Sequence, residues 1–578
     1  MRTLTGRVVA ALGVLLVLGL LPWLTRTDPA RTILHARYAD REPTPDALAA
    51  IRDETGLSDG PLRVLGRWFA GLSHGDLGTS WVSGEPVAPD VLSGLGVSLT
   101  LMGVSLGVAL VVAALLSVRT LRAGALGRGR ALTRARAGTV GAVLAALPEF
   151  LLASVLAAVF AVQLGWFPPL GWGGAEDAVL PALAMGVPAG ALLGRLLDDA
   201  LPGAYAEPWV RTQRAFGIPP ARLARNALRR VLPPLLPQLG FVVVGLTGGA
   251  VAVETLFAIP GLGKTALDAA VDQDLPVLQA AVLLLLALGV LVGALVGLVR
   301  RVLIGPALDA AALPALRRPG VRAGRTVLWA AAALVLLLCA VIVAGMLRDP
   351  LHVDTAARLT GPGAAHPLGT DSLGRDVLAR LGHGAGRTVL TALGVGAASL
   401  ALGLLLGAGA PGRWTTGLRE VVNALPPVVA GLVVAGLLGP GAWGAAVAVA
   451  AVAWAPLAAH TAALYEEERA AAHIEGAVAL GAGRWHLLTR HVLPGVLPAV
   501  LRHALLRLPA VALALASLGF LGLGEGPPAP EWGRMLSENM PYAERAPWSV
   551  LAPAAGLCAV GALAALLGGL RSGSGGRS

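Results

Sequence analysis

Charge is what this chain lacks most. Of its 578 residues only 14% are Asp, Glu, Lys or Arg, against about 25% in soluble domains. Lysine is all but missing: Lys264 stands alone, so arginine carries nearly the whole of the +11 formal net charge. Aromatic residues make up 4% of the chain, and there are two cysteines, Cys339 and Cys558. Both cysteines fall in apolar runs, which argues against a disulfide framework. The ten histidines are scattered without metal-ligand spacing. The arginines sit in short loops between apolar runs, a pattern that disfavours nucleic acid as a partner and fits the positive-inside rule.

What is abundant is apolar sequence: 56% of the residues are hydrophobic and the mean hydropathy is +0.72. A spanning helix needs about 20 apolar residues. Runs of that kind lie near 8–24, 96–118, 139–165, 178–197, 235–256 and 277–299, and again near 326–347, 387–410, 421–438, 442–464, 498–521 and 548–570. The expected fold is therefore all-α and integral to the membrane, with about twelve transmembrane helices as two pseudo-repeated halves of six. The first run follows Arg2 and Arg7, is long for a signal-peptide core and has no A-x-A-like site after it, so it reads as an uncleaved span.

Arginine sets the orientation. The loops carrying Arg119–Arg136, Arg211–Arg230 and Arg300–Arg325 alternate correctly with the spans and read as cytoplasmic, as do both termini. Segment 25–95, rich in acids, then falls outside, as does 348–386. The halves divide as 1–303 and 326–578, joined by a cytoplasmic linker 304–325 that contains Pro306, Pro314, Pro319 and Gly320. Each half has a polar helical loop, at 205–234 and 466–498. Gly217 and Gly481 occupy matching places in them, 481 − 217 = 264 residues apart, and each permits the φ > 0 bend between two helices. In the second loop a short helix follows Gly481, carries Arg484, Arg490 and His491, and is expected to end at Pro494 and Pro498.

Several strings resemble the inner-membrane permeases of the dipeptide/oligopeptide/nickel family of ABC importers. DPARTIL (28–34), GDLGTS (75–80) and VETLFAIPGLG (253–263) look like its first permease subunit. HPLGTDSLGRDVLARL (366–381), the 475–494 loop and FLGLGEGPPAPEWGRML (520–536) look like its second. The resemblance covers nearly the whole chain and implies a type I ABC importer permease fold with both subunits fused. It further implies that the two loops are the ATPase-coupling EAA loops. Glu475, Gly476, Ala477 and Gly481 match that motif, with Gly476 in place of its first alanine; Arg211, Thr212, Gln213 and Gly217 are the first-half counterpart, where Gln213 departs from the family's Arg-Thr-Ala. The partners so implied are two ABC ATPase subunits, which use ATP and Mg, and an extracellular solute-binding lipoprotein. The setting is the bacterial inner membrane, with the lipid bilayer as solvent, no cofactor on this chain and no metal site. Small Gly476 and Ala477 allow close approach of another surface, while Arg484, Arg490 and His491 can pair with acids on a partner or with lipid phosphates.

Two strings invite other chemistry. GLGKT (261–265) resembles the end of a P-loop, but Ala258 occupies the position of the leading glycine and no strand precedes it. His366, Asp371, Arg375 and Asp376 suggest catalysis, but no nucleophile is paired with a base; the expectation is that Thr370 or Asp371 caps the next helix and that Arg375 and Asp376 lie on a solvated face. His460, in an apolar run, reads as helix packing in preference to a nickel ligand. Glu254 stands near the outer end of the fifth span, and facing the pore mouth and bonding a neighbouring helix are equal readings for it. The competing function is a twelve-span secondary transporter, which also has two six-span halves but usually carries acids deep in its spans, where none is seen here.

Overall fold

The computed structural model describes residues 12–25, 28–37, 42–128, 141, 144–145, 147–304, 325–408, 413–423 and 425–569. Among them the only β pairing is two isolated bridges, Thr79–Pro86 and Thr370–Asp376. The first half supplies α1 Val87–Ala125, α2 Glu149–Gln163, α3 Val179–Ala206, α4 Pro208–Ala215, α5 Pro220–Leu256 and α6 Leu275–Ile304. The second supplies α7 Arg325–Met346, α8 Val377–Ala408, α9 Pro427–Leu438, α10 Ala442–Arg469, α11 Ala472–Ala479, α12 (484–520), α13 Trp532–Asn539 and α14 Pro547–Gly569. Short helices Pro29–Arg37, Pro45–Glu54 and Pro61–Ser73 fill the segment read as external, 25–95. The linker 304–325 lies almost wholly outside the described residues, as do Arg130, Arg134 and Arg136.

Every expected span that the structure describes coincides with a helix, but not all of them cross alone. Eight helices are long and apolar enough to do so among the described residues, and a ninth if Gly417–Asn423 and α9, bent by 91°, count as one. The span expected at 421–438 is broken because Pro426 is extended (φ −64°, ψ 141°) and Pro427 opens α9; proline supplies no N–H and pushes the residue before it out of the helical region. α2 is cut short by the extended Pro148 and ends in a π-helical stretch, Ala157–Gln163.

The chain forms two compact units. One comprises 1–94, 264–286 and 344–539, the other 95–263, 287–343 and 540–578, so each draws on both halves of the sequence. In the second unit α3 presents Gly186, Gly190 and Gly194, spaced by four, to α1. A Cβ on Gly186 would lie 2.6 Å from the Ser105 carbonyl oxygen and one on Gly190 2.4 Å from that of Ala109. Lipid offers no hydrophobic drive for helix association, so close backbone contact of this kind holds spans together. In the first unit Gly403 and Gly407 do the same for α8 against Leu457 and Thr461 of α10. The outward faces are apolar as well: Val111 and Leu115 on α1 and Trp329, Leu336 and Leu337 on α7 are exposed, as lipid-facing side chains must be.

The start of α8 is held by buried charge. Asp371 accepts from Arg375 Nε and Arg380 Nη1, each at 2.8 Å, and from the backbone N–H of Leu373 and Arg375 at 2.9 Å. Glu538 on α13 accepts from Arg380 Nη2 at 2.9 Å, Arg534 Nε at 2.9 Å and Arg375 Nη2 at 3.3 Å. Arg380 is 0% exposed. Arg375 and Asp376 are thus buried, not solvated, because Arg375 is paired with Asp371 and Glu538 and Asp376 with Arg348. Asp376 is the residue that caps α8, through the Ala379 N–H at 3.0 Å; it also accepts from Arg348 at 2.7 Å and bonds His366 Nδ1 at 3.0 Å. These bonds outweigh burial and hold its carboxyl below the usual range, as the arginines do for Glu538. Next to this network Glu531 caps α13, accepting from the N–H of Gly533 (3.0 Å) and Arg534 (2.9 Å). Burial raises its carboxyl to about 7.

Gly190→Ala is expected to destabilise the fold by about 1–3 kcal/mol, read as a lower melting temperature in detergent. Gly103→Ala, whose Cβ meets nothing within 4 Å, serves as the neutral control; equal melting of the two would refute close α1–α3 packing. A raised carboxyl favours the fold when protonated, so the contribution of Glu531 is complete below its unfolded value of 4.5 and is lost as pH rises through about 7. Glu531→Gln should therefore leave melting unchanged at about pH 4 and raise it at pH 8, where ionising the buried acid costs on the order of 3 kcal/mol.

Candidate functional site: two matched polar loops

The two polar loops are the same structure built twice. α4 is Pro208–Ala215 and α11 is Ala472–Ala479, and every residue pairs across 264 positions. Each is entered through an extended residue, Glu207 (φ −66°, ψ 147°) or Ala471 (φ −74°, ψ 140°). Each ends at a left-handed glycine, Gly217 (φ 67°) or Gly481 (φ 83°). The closing bonds also match. Gly217 N–H donates to Arg214 O and Ile218 N–H to Gln213 O, both at 3.0 Å. Gly481 N–H donates to Val478 O at 2.9 Å and Ala482 N–H to Ala477 O at 3.0 Å. This pair of bonds is the Schellman motif, which satisfies the last carbonyls of a helix and reverses the chain. The following helices then begin at Pro220 and Arg484, again 264 apart.

One side of each loop is anchored and the other is open. Val210 is buried with Leu201, Tyr205, Leu223 and Val231. Its counterpart Ile474 is buried with Val492, Val496 and Val500. The last residue before each glycine is a large apolar side chain left in the open: Phe216 is 78% and Leu480 91% exposed. Arg211, Thr212 and Gly217 are exposed on the first loop, and Glu475, Gly476, Gly481 and Arg490 on the second; Gln213, Ala477 and His491 are half-buried. A Cβ on Gly476 or Gly481 would meet nothing within 4 Å, so neither glycine is required by internal packing around its side-chain position.

The loops differ in how they are pinned. In the first, Glu207 accepts from Arg230 Nε at 3.1 Å and Nη2 at 2.8 Å and from Trp209 Nε1 at 2.6 Å. Asn226 Nδ2 donates to Gln213 Oε1 at 3.1 Å, and Arg214 donates to the Gly124 carbonyl. The unusual Gln213 therefore ties α4 to α5. In the second, Ala477 has no polar side chain, and the imidazoles cluster: His473 lies 3.3 Å from Glu468, and the His491 ring has its centroid 6.1 Å from that of His473 and 5.7 Å from that of His486. Pro494 and Pro498 do not end the helix after Gly481. α12 runs through both, because Leu488–Val492 is wound as a π-helix and the Leu493 N–H bonds back to Leu488. The carbonyl with which Pro494 would clash, that of Arg490, belongs to this widened turn.

Glu254 is fully buried and accepts from Ser98 Oγ at 2.5 Å on α1; Ser98 in turn accepts the Leu262 N–H at 2.8 Å. Gly261 and Gly263 crowd its carboxylate, which a Cβ at either would strike. The GLGKT string begins a helix, Leu262–Val271, and Lys264 pairs with Asp268 one turn on. Arg380, Arg534 and Glu538 were not singled out in the sequence; an arginine inside the apolar run that opens α8 was the signal for the first.

Comparison with known proteins matches this architecture. The family model described as the binding-protein-dependent transport system inner membrane component fits the chain twice, over residues 121–305 and 392–570. The chain is 31% identical over 287 residues to the glutathione transport system permease protein of Salmonella paratyphi A, covering 49% of this chain and 90% of that protein. It is 29% identical over 284 residues to the metal-staphylopine import system permease protein of Staphylococcus aureus, covering 49% and 89%. It is 30% identical over 307 residues to a putative peptide transport system permease protein of Brucella abortus, covering 50% and 93%. Each relative accounts for half of this chain, as two domains in one polypeptide require. The chain belongs to the binding-protein-dependent inner membrane component family: it is a multi-pass ABC importer permease with two permease domains fused, and its family has no ATPase of its own.

Proposed function

We propose that this chain supplies both permease halves, 1–303 and 326–578 joined by the linker 304–325, of an inner-membrane importer for di- or oligopeptides. An extracellular solute-binding lipoprotein delivers the solute to the outer segments, of which 348–386 is one. Two ABC ATPase subunits, using ATP and Mg, dock one at each polar loop, and both termini lie on their side of the membrane. A peptide cargo is supported by relatives named for peptide and for glutathione transport.

The observation that carries the reading is the matched pair of loops. An isolated helix cap would need neither an exposed Phe216 nor an exposed Leu480, and a large apolar side chain held out on a short rigid helix is what a docking contact uses. Glu475 and Arg490 then set charge complementarity at the rim, which governs which partner is accepted. ATP can drive transport only if it favours one permease state through contacts that differ between states, and the loops offer such contacts. The two are not equal: Gln213 stiffens the first through Asn226, while the second has Ala477 there.

The full chain should co-purify with an ATPase subunit, and uptake should stop with vanadate and survive an uncoupler; the opposite pattern sinks the proposal. Leu480→Asp, which disturbs no internal contact of an exposed residue, is expected to lower uptake by about tenfold or more, roughly 1.4 kcal/mol of lost contact, with membrane levels unchanged. Gly481→Pro, which destroys the left-handed turn, and Glu475→Arg should abolish uptake. Normal transport by all three variants would remove the loop from the coupling role.

A further inference from the structure

In the first unit, α10 and α12 bring three basic side chains together. The rings of His460 on α10 and His503 on α12 have centroids 4.5 Å apart and planes inclined by 37°. Arg507 follows His503 by four residues, which places it on the same helix face. It stands midway along Leu493–Phe520. All three side chains are half-buried. Among the described residues no carboxylate pairs with Arg507. An arginine in mid-membrane costs several kcal/mol unless it meets water or a counter-charge.

The fold does not need this cluster. The positions 264 residues earlier, in the matching helices α3 and α5, are Leu196, Leu239 and Val243, and Leu239 and Val243 pack against the apolar core there. The same helix pair is thus built in one half from aliphatic residues and in the other with a guanidinium and two imidazoles. A guanidinium repels a bare metal cation and offers a fork of donors that a carboxylate accepts bidentately; imidazole N–H groups extend that donor set. α10 and α12 are also the two helices that α11 joins, so a shift of the second polar loop reaches these residues directly.

We propose that His460, His503 and Arg507 form a binding station, within the membrane-spanning parts of α10 and α12, for the carboxylate of the transported solute. The proposal rests on the peptide-import reading and adds that a free carboxylate is the group recognised in transit.

The test uses the full chain in nanodiscs and reads carbethoxylation of His460 and His503 by mass spectrometry. Alanylalanine is expected to slow modification about tenfold more than its C-terminal amide does. The difference should vanish in Arg507→Met and persist in Arg507→Lys. Equal protection by acid and amide, or protection by nickel sulfate alone that Arg507→Met leaves intact, overturns the proposal. Uptake of alanylalanine by the complete transporter is measured beside it. Selective protection without uptake would leave the station standing and refute the peptide reading; uptake of acid and amide reduced alike by Arg507→Met would refute the station and leave that reading intact.

Discussion

A helix that leaves the membrane exposes its last carbonyls, and the way those carbonyls are satisfied decides where the chain goes next. Here the solution is a left-handed residue that closes the helix with two backbone bonds. Gly217 and Gly481 are its polar-loop instances, and they turn α4 into α5 and α11 into α12. The same device closes α5 and α12 at their far ends. Ala258 N–H bonds Thr255 O and Ile259 N–H bonds Glu254 O, as Gly522 bonds Gly519 and Leu523 bonds Leu518. Because each turn fixes the direction of the next helix, the spacing of 264 residues survives from α3 and α10 through to these final turns.

One of the four turns lacks glycine. Ala258 has φ 53°, a conformation that costs an L-residue about 1–2 kcal/mol. The surroundings over-determine it. Glu254, whose backbone carbonyl closes the turn, also has its carboxylate bound by Ser98, and Ser98 holds the N–H of Leu262 just beyond. The second half has Gly522 at this place and Leu518 where Glu254 stands, so neither strain nor buttress is present there. A buried acid near the end of a span thus has a structural account: it stabilises a turn that its twin closes with glycine.

Much of this was legible from residues alone, because lipid enforces simple rules. Twenty apolar residues, arginine on one side and a glycine at a helix end are local signals, and they located the helices, the polar loops and the repeat. What failed was non-local. Pro494 looked like a stop because proline clashes with the carbonyl four residues back, and only the π-helical turn at Leu488–Val492 removes that clash. Arg375 and Asp376 read as solvated because Glu538, a partner of Arg375, lies 163 residues away and Arg348, a partner of Asp376, 28 residues away in sequence, and nothing local foretells that α13 folds onto the start of α8. Nothing in the sequence around Phe216 and Leu480 marks them as exposed; their exposure depends on the turn that holds them out.

Where the halves agree, the backbone is the reason; where they differ, the side chains are specialised. The Schellman turns, the buried Val210 and Ile474 and the exposed Phe216 and Leu480 recur because a repeated fold must solve the same problem twice. Gln213 against Ala477, Ala258 against Gly522, and Leu196, Leu239 and Val243 against His460, His503 and Arg507 do not recur. A permease with separate subunits can also diverge in this way, but fusion fixes one copy of each half to one of the other. Each specialised residue then occurs once per chain, and a single polar station on one helix pair is never diluted by a second, apolar version of the same half.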